Sequence, residues 1–532
     1  MALMEHAMRP SVVTLFLLLA VVLLGAPARA VTITPEFSDQ ETPEAGREAG
    51  PQPRERLSRT RHELRLGGRT YAYTATAGEI VLKEREGQEP RARLFYVAYE
   101  LEDAGPGPRP LTFAFNGGPG AASVWLHLGG LGPWRVALHD DGTLPPPPYR
   151  LVENESTWLP FTDLVFIDPV GTGYSRGLGE AKPAGKPFWS IEKDVESVAE
   201  FIRLWVTRNN RWLAPLFLAG ESYGTTRAAL LAPYLQEEYG LQPAGVLLIS
   251  PVLFYETILL SPINDLPYAL YLPAYAAAAH HHGKAGQGVD LERFLSQAGT
   301  YALEEYLVAL VKGDILPQAR RQEVARRLSE FTGLPERLFL DNHLRVEPSR
   351  FRREILRDEG RLVGRMDATV ASPIPEPQDP SPLYDPTLRP LYGPFSSAMQ
   401  AYLTDKLRFR TDMFYEFLNP KVAEGWDWQV AGEEGQGYLD AVTPLKEAMS
   451  VSPSMRVLLA CGIYDLATPC SSVEYTVNHL WLDEVLRRNV FLEYYRAGHM
   501  MYTHADARRE LRDDAARFYR ETLARPAPRR TP

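Results

Sequence analysis

The chain has 532 residues, 45% of them hydrophobic, a formal net charge of −10 and only two cysteines. That apolar content is ample for a large core, mild acidity with scattered basic residues excludes a nucleic-acid binder, and two cysteines exclude a disulfide framework. Residues 1–30 read as a cleaved secretory signal: Arg9 precedes the apolar run Val12 to Leu24, and Ala28-Arg29-Ala30 is a small-x-small cleavage site. The run is short of the roughly 20 residues a membrane span needs, and no later stretch is long and apolar enough, so a secreted or periplasmic protein with no membrane span after cleavage is expected. Residues 31–60, rich in Pro, Glu, Gly and Arg, read as a disordered linker. Cys461 and Cys470 could close one small loop, and Asn154-Glu155-Ser156 fits a glycosylation sequon that carries little weight alone.

From His62 short apolar runs at Leu64–Leu66, Tyr71–Ala75, Ile80–Leu82 and Leu94–Tyr99 are separated by Gly-rich breaks, which predicts antiparallel hairpins. Buried-strand runs follow at 110–115, 163–168, 216–219, 246–250, 455–460 and 490–495. Helical spacing runs from Ile191 to Trp205, and helix-compatible runs cover Thr225 to Gln236 and Ala505 to Ala524. Strands alternating with helices predict a mostly parallel sheet covered on both faces. The alternation stops between 256 and 444, where helices at Thr300 to Lys312 and Pro317 to Leu328 and a proline-dense stretch from Pro373 to Pro390 predict a largely helical insertion. The expected division is therefore signal 1–30, linker 31–60, core with N-terminal hairpins 61–255, cap insertion 256–444, second core segment 445–526 and tail 527–532.

Gly220-Glu221-Ser222-Tyr223-Gly224 lies between an apolar run and a helix. A strand, a tight Gly-x-Ser-x-Gly turn and a helix form a nucleophile elbow, with the serine hydroxyl held out at a sheet end above a helix N-terminus. A serine hydroxyl needs a base and the base needs an orienting acid. Of the eleven histidines, His499 follows a predicted strand and a glycine, whereas His280, His281 and His282 sit together in the insertion and read as a solvated or weakly metal-binding loop. Asp465 also follows a strand end; Asp168 is a rival acid that precedes the serine and is expected to brace its own loop. The order Ser222, Asp465, His499 is that of an α/β-hydrolase triad. The tetrahedral oxyanion needs two backbone donors, expected from Tyr223 and from Gly118 of Asn116-Gly117-Gly118-Pro119-Gly120. With no metal cluster and no phosphate-binding loop in the sequence, no metal and no cofactor are expected.

Four segments in this order, Asn116–Gly120, Asp168–Ser175, Gly220–Gly224 and Gly498-His499-Met500, resemble the serine carboxypeptidases, the carboxypeptidase Y and cathepsin A family. The N-terminal hairpins look like an extension seen in bacterial members. The resemblance implies an α/β-hydrolase fold and removal of C-terminal amino acids through an acyl-enzyme. Its substrates would be peptides with a free C-terminus. It implies Ser222, Asp465 and His499 as the triad, Gly118 and Tyr223 as the oxyanion hole, and Asn116, Gly117 and Glu221 as ligands of the substrate carboxylate. In the family a second glutamic acid shares a proton with the counterpart of Glu221; here Gly130 stands at that position, and no acidic residue lies between Gly117 and Leu138. Two adjacent carboxyls raise each other's pKa, whereas a lone one must stay protonated by burial. His127 or a residue of the insertion could supply the missing donor, and a glutamic acid placed at Gly130 would be expected to move activity toward acid. This departure keeps open an esterase, amidase or acyltransferase on the same scaffold, and behind it a non-catalytic binding protein.

Overall fold

Five-residue to seven-residue runs of Val, Leu, Ile, Phe and Ala bury both faces of a strand, and the chain uses them to build a central sheet. A computed structural model describes residues 54–84, 89–102, 105, 107–374, 384–429 and 437–524, so the predicted signal, most of the predicted linker and the predicted tail lie outside the described residues. The main path of the sheet comprises β1 (Leu57–Leu66), β2 (Arg69–Lys83), β3 (Pro90–Leu101), β4 (Leu111–Phe115), β5 (Asp163–Ile167), β6 (Leu216–Glu221), β7 (Pro243–Ile249), β8 (Arg456–Gly462) and β9 (Val490–Tyr495), in the order β1-β2-β3-β5-β4-β6-β7-β8-β9, and a two-residue strand, Arg176–Gly177, pairs with β3 off this path. The first three strands and the β3–β5 pairing are antiparallel; every pairing from β5 to β9 is parallel. Strands connected through helices in this mostly parallel order make an α/β-hydrolase fold with N-terminal antiparallel hairpins.

The two-residue side-chain period divides the core into two layers. Leu216, Leu218, Val246, Leu248, Val457 and Leu459 face one layer, closed by α1 (Ile191–Arg208), α2 (Tyr223–Tyr239) and α7 (Val442–Val451). Phe217, Ala219, Leu247, Ile249, Leu458 and Ala460 face the other, closed by α9 (Ala505–Ala524) and by part of the insertion. Helix α1 starts where the Ser190 hydroxyl accepts the Lys193 N–H, and α2 ends at Gly240 in the left-handed conformation. Between β7 and β8 lie α3 (Leu266–His281), α4 (Leu291–Tyr301), α5 (Gln318–Thr332) and α6 (Leu388–Ala401); the first three share a separate hydrophobic core that also takes in Tyr464 and Leu466. Helix α8 (Cys470–Asn478) follows β8. Among the described residues no helix is long and apolar enough to cross a membrane.

Some local expectations require correction. The linker does not run to residue 60, because β1 begins at Leu57 and pairs along its whole length with β2, from Leu57 opposite Gly78 to Leu66 opposite Arg69. An edge strand needs backbone partners on one side only, so Ser58, Arg59, Thr60 and Arg61 can be polar and still be strand. The runs at 71–75 and 80–82 belong to one strand: Ala77-Gly78-Glu79 continues β2, and buried Glu79 pairs with Arg56 at 2.5 Å. The helix expected from Thr300 begins at Leu291, where the Asp290 carboxylate caps the Arg293 N–H, and continues through a wider turn at Ala302–Tyr306 to Lys312.

Cys461, the penultimate residue of β8, is bridged to Cys470, the first residue of α8, across a sequence separation of 9. The bridge closes the loop that carries Asp465. Cross-linking a loop of this length is worth about 3 kcal/mol through the unfolded chain. Replacing both cysteines with alanine is expected to reduce unfolding stability by about that amount, read from denaturant midpoints under oxidising conditions; an unchanged midpoint would show that the bridge constrains nothing.

Candidate active site

The strand register brings the singled-out residues to one sheet edge. Phe115 lies opposite Gly220, Glu221 opposite Ile249, Ile249 opposite Ala460, and Gly462 opposite Tyr495. The chain segments leaving these strand ends carry Asn116–Gly118, Ser222, Ser250, Asp465 and His499. Ser222 has φ 59° and ψ −128°, a left-handed conformation that L-residues seldom adopt, and its N–H donates to the Ile249 carbonyl at 3.0 Å. The flanking glycines are required by space. A Cβ on Gly220 would strike the Gly224 carbonyl, and one on Gly117 would stand 2.5 Å from the Tyr223 amide nitrogen. Ser222 lines a cavity of about 320 Å³ together with Asn116, Gly117, Gly118, Glu221, Tyr223 and His499.

His499 Nδ1 lies 2.6 Å from Asp465 Oδ2. The buried Asp465 carboxylate is saturated: Oδ1 accepts from the N–H groups of Ala467 and Thr468, and Oδ2 accepts the Thr468 hydroxyl as well as His499. The Ser250 hydroxyl donates to the His499 carbonyl at 2.6 Å, and the His499 N–H donates to the Met366 carbonyl at 2.6 Å. Burial alone would lower the His499 pKa, but the charge and hydrogen bond of Asp465, with the charge of Glu221, outweigh it and the pKa is raised. Nδ1 is engaged, so Nε2 is the nitrogen left for proton exchange. Opposite, the N–H groups of Gly118 and Tyr223 donate to no described backbone acceptor, the latter because it opens α2 and has no carbonyl one turn behind it. Beneath the elbow, buried Arg227 pairs with Asp194 at 2.6 Å and donates to the Asn116 carbonyl at 2.7 Å, tying α2 to the glycine loop.

Asn116 is held by its own carbonyl oxygen, Oδ1, which accepts the Leu126 N–H at 3.0 Å, so Nδ2 points at Glu221 and donates to its Oε2 at 2.6 Å. The second donor to the same oxygen is the Tyr502 hydroxyl, at 2.8 Å. Burial raises the Glu221 pKa from 4.5 to about 7 even though the charge on His499 and these two hydrogen bonds pull it back. With both donors on Oε2, a proton on Glu221 falls to Oε1, which makes no hydrogen bond to a described residue.

Tyr502 is the residue sequence reasoning missed. It lies in the short helical turn Met501–Thr503 after His499, and its ring rests on Gly129 and Gly130. A Cβ on Gly130 would stand 2.5 Å from Tyr502 Cβ, so a glutamic acid there collides with the ring, and the expected acid shift from Gly130→Glu is withdrawn. The signal was present as a double glycine with no turn to explain it. His127 is not the missing donor: its Nε2 lies 2.5 Å from the Tyr99 hydroxyl, its ring stacks on Phe166, and burial lowers its pKa to about 3. Asp168 is turned away from His499 and accepts the Ser123 N–H at 2.8 Å, with burial raising its pKa to about 6. The three consecutive histidines close α3 rather than forming a solvated loop: His280 and His282 bond the carbonyls of Val289 and Ala368. Asn154 of the sequon is fully buried, donating to the carbonyls of Gly130 and Gly132.

A segment of the insertion is fastened to both loops of the His499–Asp465 pair. The Arg365 carbonyl accepts the Leu466 N–H at 3.0 Å, the Ala368 N–H donates to the Tyr464 carbonyl at 2.9 Å, and buried Asp367 accepts the Gly498 N–H while pairing with His504 at 2.7 Å. A larger groove of about 600 Å³ between α4 and β9 contains neither Ser222 nor any histidine, so chemistry rather than size identifies the smaller cavity as the candidate site.

Residues 82–238 match the serine carboxypeptidase family. Serine carboxypeptidase-like 50 of Arabidopsis thaliana is 26% identical over 252 residues, covering 46% of this chain and 50% of that protein. Serine carboxypeptidase-like 33 of the same plant is 29% identical over 161 residues, covering 29% and 31%. The pheromone-processing carboxypeptidase KEX1 of Yarrowia lipolytica is 31% identical over 178 residues, covering 33% and 26%. The chain thus spans half or less of the length of these relatives. Among solved structures, a proline iminopeptidase of Mycobacterium smegmatis is similar with a TM-score of 0.31 at 14% identity, over 87% of this chain and 98% of that one. A carboxyl esterase from Bacillus coagulans gives a TM-score of 0.34 at 13% identity, over 84% and 98%.

The raised Glu221 pKa is also a statement about stability. The fold favours the protonated carboxyl, so this contribution is complete below pH 4.5 and is lost as pH climbs through about 7. Across that window it amounts to something on the order of 3 kcal/mol. Glu221→Gln keeps an acceptor for Asn116 and removes the titration. Its unfolding stability is expected to fall less than the wild type's between pH 4.5 and pH 8; parallel losses would show that Glu221 does not titrate in this range.

Proposed function

We propose that this chain, which is related to the serine carboxypeptidases over residues 82–238, is a secreted or periplasmic serine carboxypeptidase that releases C-terminal amino acids through an acyl-enzyme. The observation that carries the reading is the His499–Asp465 pair beside a strained Ser222, in the same cavity as Asn116, Gly117 and Glu221. In this mechanism Ser222 Oγ attacks the carbonyl carbon of the last peptide bond as His499 Nε2 takes its proton, while Asp465 holds the ring by Nδ1 and stabilises the imidazolium. The oxyanion is received by the N–H groups of Gly118 and Tyr223. His499 then protonates the leaving amine, the C–N bond breaks, and a water activated by the same histidine releases the acyl group. The leader-like residues 1–30 and the Cys461–Cys470 bridge support a location outside the reducing cytoplasm.

Asn116, Gly117 and Glu221 are assigned to the terminal carboxylate of the substrate. A neutral Glu221 can donate its Oε1 proton to that carboxylate, whereas an ionised one repels it. Protonation of Glu221 also removes a negative charge that helps hold a proton on His499, so the neutral acid favours the free base that catalysis needs. Tyr502, a neutral donor, takes the structural place of a second carboxyl. That replacement is the observation favouring the other reading, an esterase, amidase or acyltransferase without need of a free C-terminus.

Comparing a blocked dipeptide with its C-terminal amide separates the two readings. The proposal expects kcat/KM for the free acid to exceed that for the amide by at least tenfold, and equal values would favour the second reading. Ser222→Ala is expected to abolish turnover and fluorophosphonate labelling while leaving the circular dichroism spectrum unchanged; persistent acyl-enzyme formation in that variant would remove Ser222 from the mechanism.

A further expectation concerns Tyr502. Its hydroxyl bonds the charged form of Glu221 and so lowers the carboxyl's pKa. Tyr502→Phe is expected to raise that pKa and to move the alkaline limb of kcat/KM for the free-acid substrate upward by about one pH unit. A limb that stays in place would show that Glu221 does not gate substrate binding.

A further inference from the structure

Apart from tyrosines, three titratable side chains among the described residues line the Ser222 cavity: Glu221, His499 and Arg365. The first two have partners. Arg365 is exposed, and among the described residues its guanidinium makes no hydrogen bond and no ion pair. Its backbone, in contrast, is pinned on both sides: the N–H donates to Asp385 Oδ2 at 2.6 Å and the carbonyl accepts the Leu466 N–H at 3.0 Å. The next two residues bond the N–H groups of His499 and Gly498, and Gly498 is needed there because a Cβ would collide with the Met366 carbonyl. The guanidinium is therefore carried on a segment of the insertion that cannot move independently of His499 and Asp465.

Among the described residues no carboxylate is paired with this guanidinium; Asp385, which accepts the Arg365 N–H, is paired with Arg352. Asp465 already accepts four donors, and burial holds Glu221 largely in its neutral form below pH 7. The charge of Arg365 reaches the reacting groups, because it opposes protonation of His499. Around it the cavity wall is apolar, formed by Trp125, Tyr255, Ile258, Leu388, Leu418 and Trp428. An unpaired guanidinium at the rim of an apolar cavity has a fork of donors matched to one kind of ligand, a carboxylate that can take two parallel N–H bonds.

We propose that Arg365 is a specificity-determining residue of this site and recognises a carboxylate of the substrate. The inference rests on the hydrolase reading above and adds a residue to it, a cationic contact for a carboxylate within reach of the scissile bond, beside Asn116, Gly117 and Glu221. That carboxylate can be the peptide's own C-terminus or an acidic side chain next to it, and both present the same chemistry to the guanidinium.

The test uses the full chain and two variants, Arg365→Met and Arg365→Lys. Two substrate sets are needed: blocked Phe-Leu, its amide and blocked Phe-Glu amide; and p-nitrophenyl butyrate beside the p-nitrophenyl monoester of succinic acid. Arg365→Met is expected to raise KM for carboxylate-bearing substrates at least tenfold more than for p-nitrophenyl butyrate, both read on the pH plateau where His499 is the free base so that the lost charge opposite it does not enter the comparison. Arg365→Lys should recover part of the loss. A loss on blocked Phe-Leu but not on blocked Phe-Glu amide assigns the terminal carboxylate, and the converse assigns the side chain. Equal effects on charged and uncharged substrates, or no effect on any, overturn the proposal. If the wild type cleaves no peptide but hydrolyses the esters, the peptidase reading fails while the succinate-to-butyrate comparison still decides Arg365.

Discussion

Everything at the candidate site depends on a backbone contact that leaves no space for a methyl group. The loop after β4 lies against the turn after β6 so closely that a side chain at Gly117 would stand 2.5 Å from the Tyr223 nitrogen, and one at Gly220 would meet the Gly224 carbonyl. That closeness sets the loop that carries Gly118 against the turn that carries Ser222 and Tyr223, and in that turn Ser222 stands at φ 59°. A conformation of this kind costs on the order of 1–3 kcal/mol and persists only where its surroundings over-determine it. Here the Ile249 carbonyl, helix α2 and the Arg227 bridge to the Asn116 carbonyl supply that constraint.

The electrostatics of the cavity follow from burial more than from pairing. Glu221 has no carboxyl partner among the described residues, yet its pKa rises to about 7 because the fold removes it from water. Tyr502 and Asn116 satisfy one oxygen and thereby choose which oxygen carries the proton. A tyrosine hydroxyl, whose pKa burial raises further, does this without ionising over the range in which a second carboxyl would change its own charge. The result is a single titrating acid coupled to a single titrating base, Glu221 and His499, each sensing the charge of the other.

The insertion is more than a cover. Its segment at 365–368 is bonded to the loops of both Asp465 and His499, with the Asp367–His504 pair as a second buried anchor. Apolar residues of the insertion and of the core line the cavity together. Any movement of this segment would therefore be felt at the imidazole, which makes the insertion part of the geometry of the base as well as part of the substrate pocket.

Strands of β-branched and aliphatic residues, the glycines around Ser222 and the strand-end positions of Asp465 and His499 were legible because each is written in contiguous residues: a two-residue period, a five-residue turn, a residue following a strand. These determine the sheet, its mostly parallel character and the edge at which Ser222, Asp465 and His499 meet. What the linear chain could not show is contact between distant segments. Tyr502 reaches Glu221 across 281 positions, and the reason for Gly130 lies in the Tyr502 ring rather than in its own neighbours. The edge strand β1 looked like linker because half its residues face solvent, and Arg365 looked like any arginine of a helical insertion. Their meaning depends on which side chains remain unpaired once the chain has folded, and that is decided only when tertiary packing has distributed every donor, acceptor and charge.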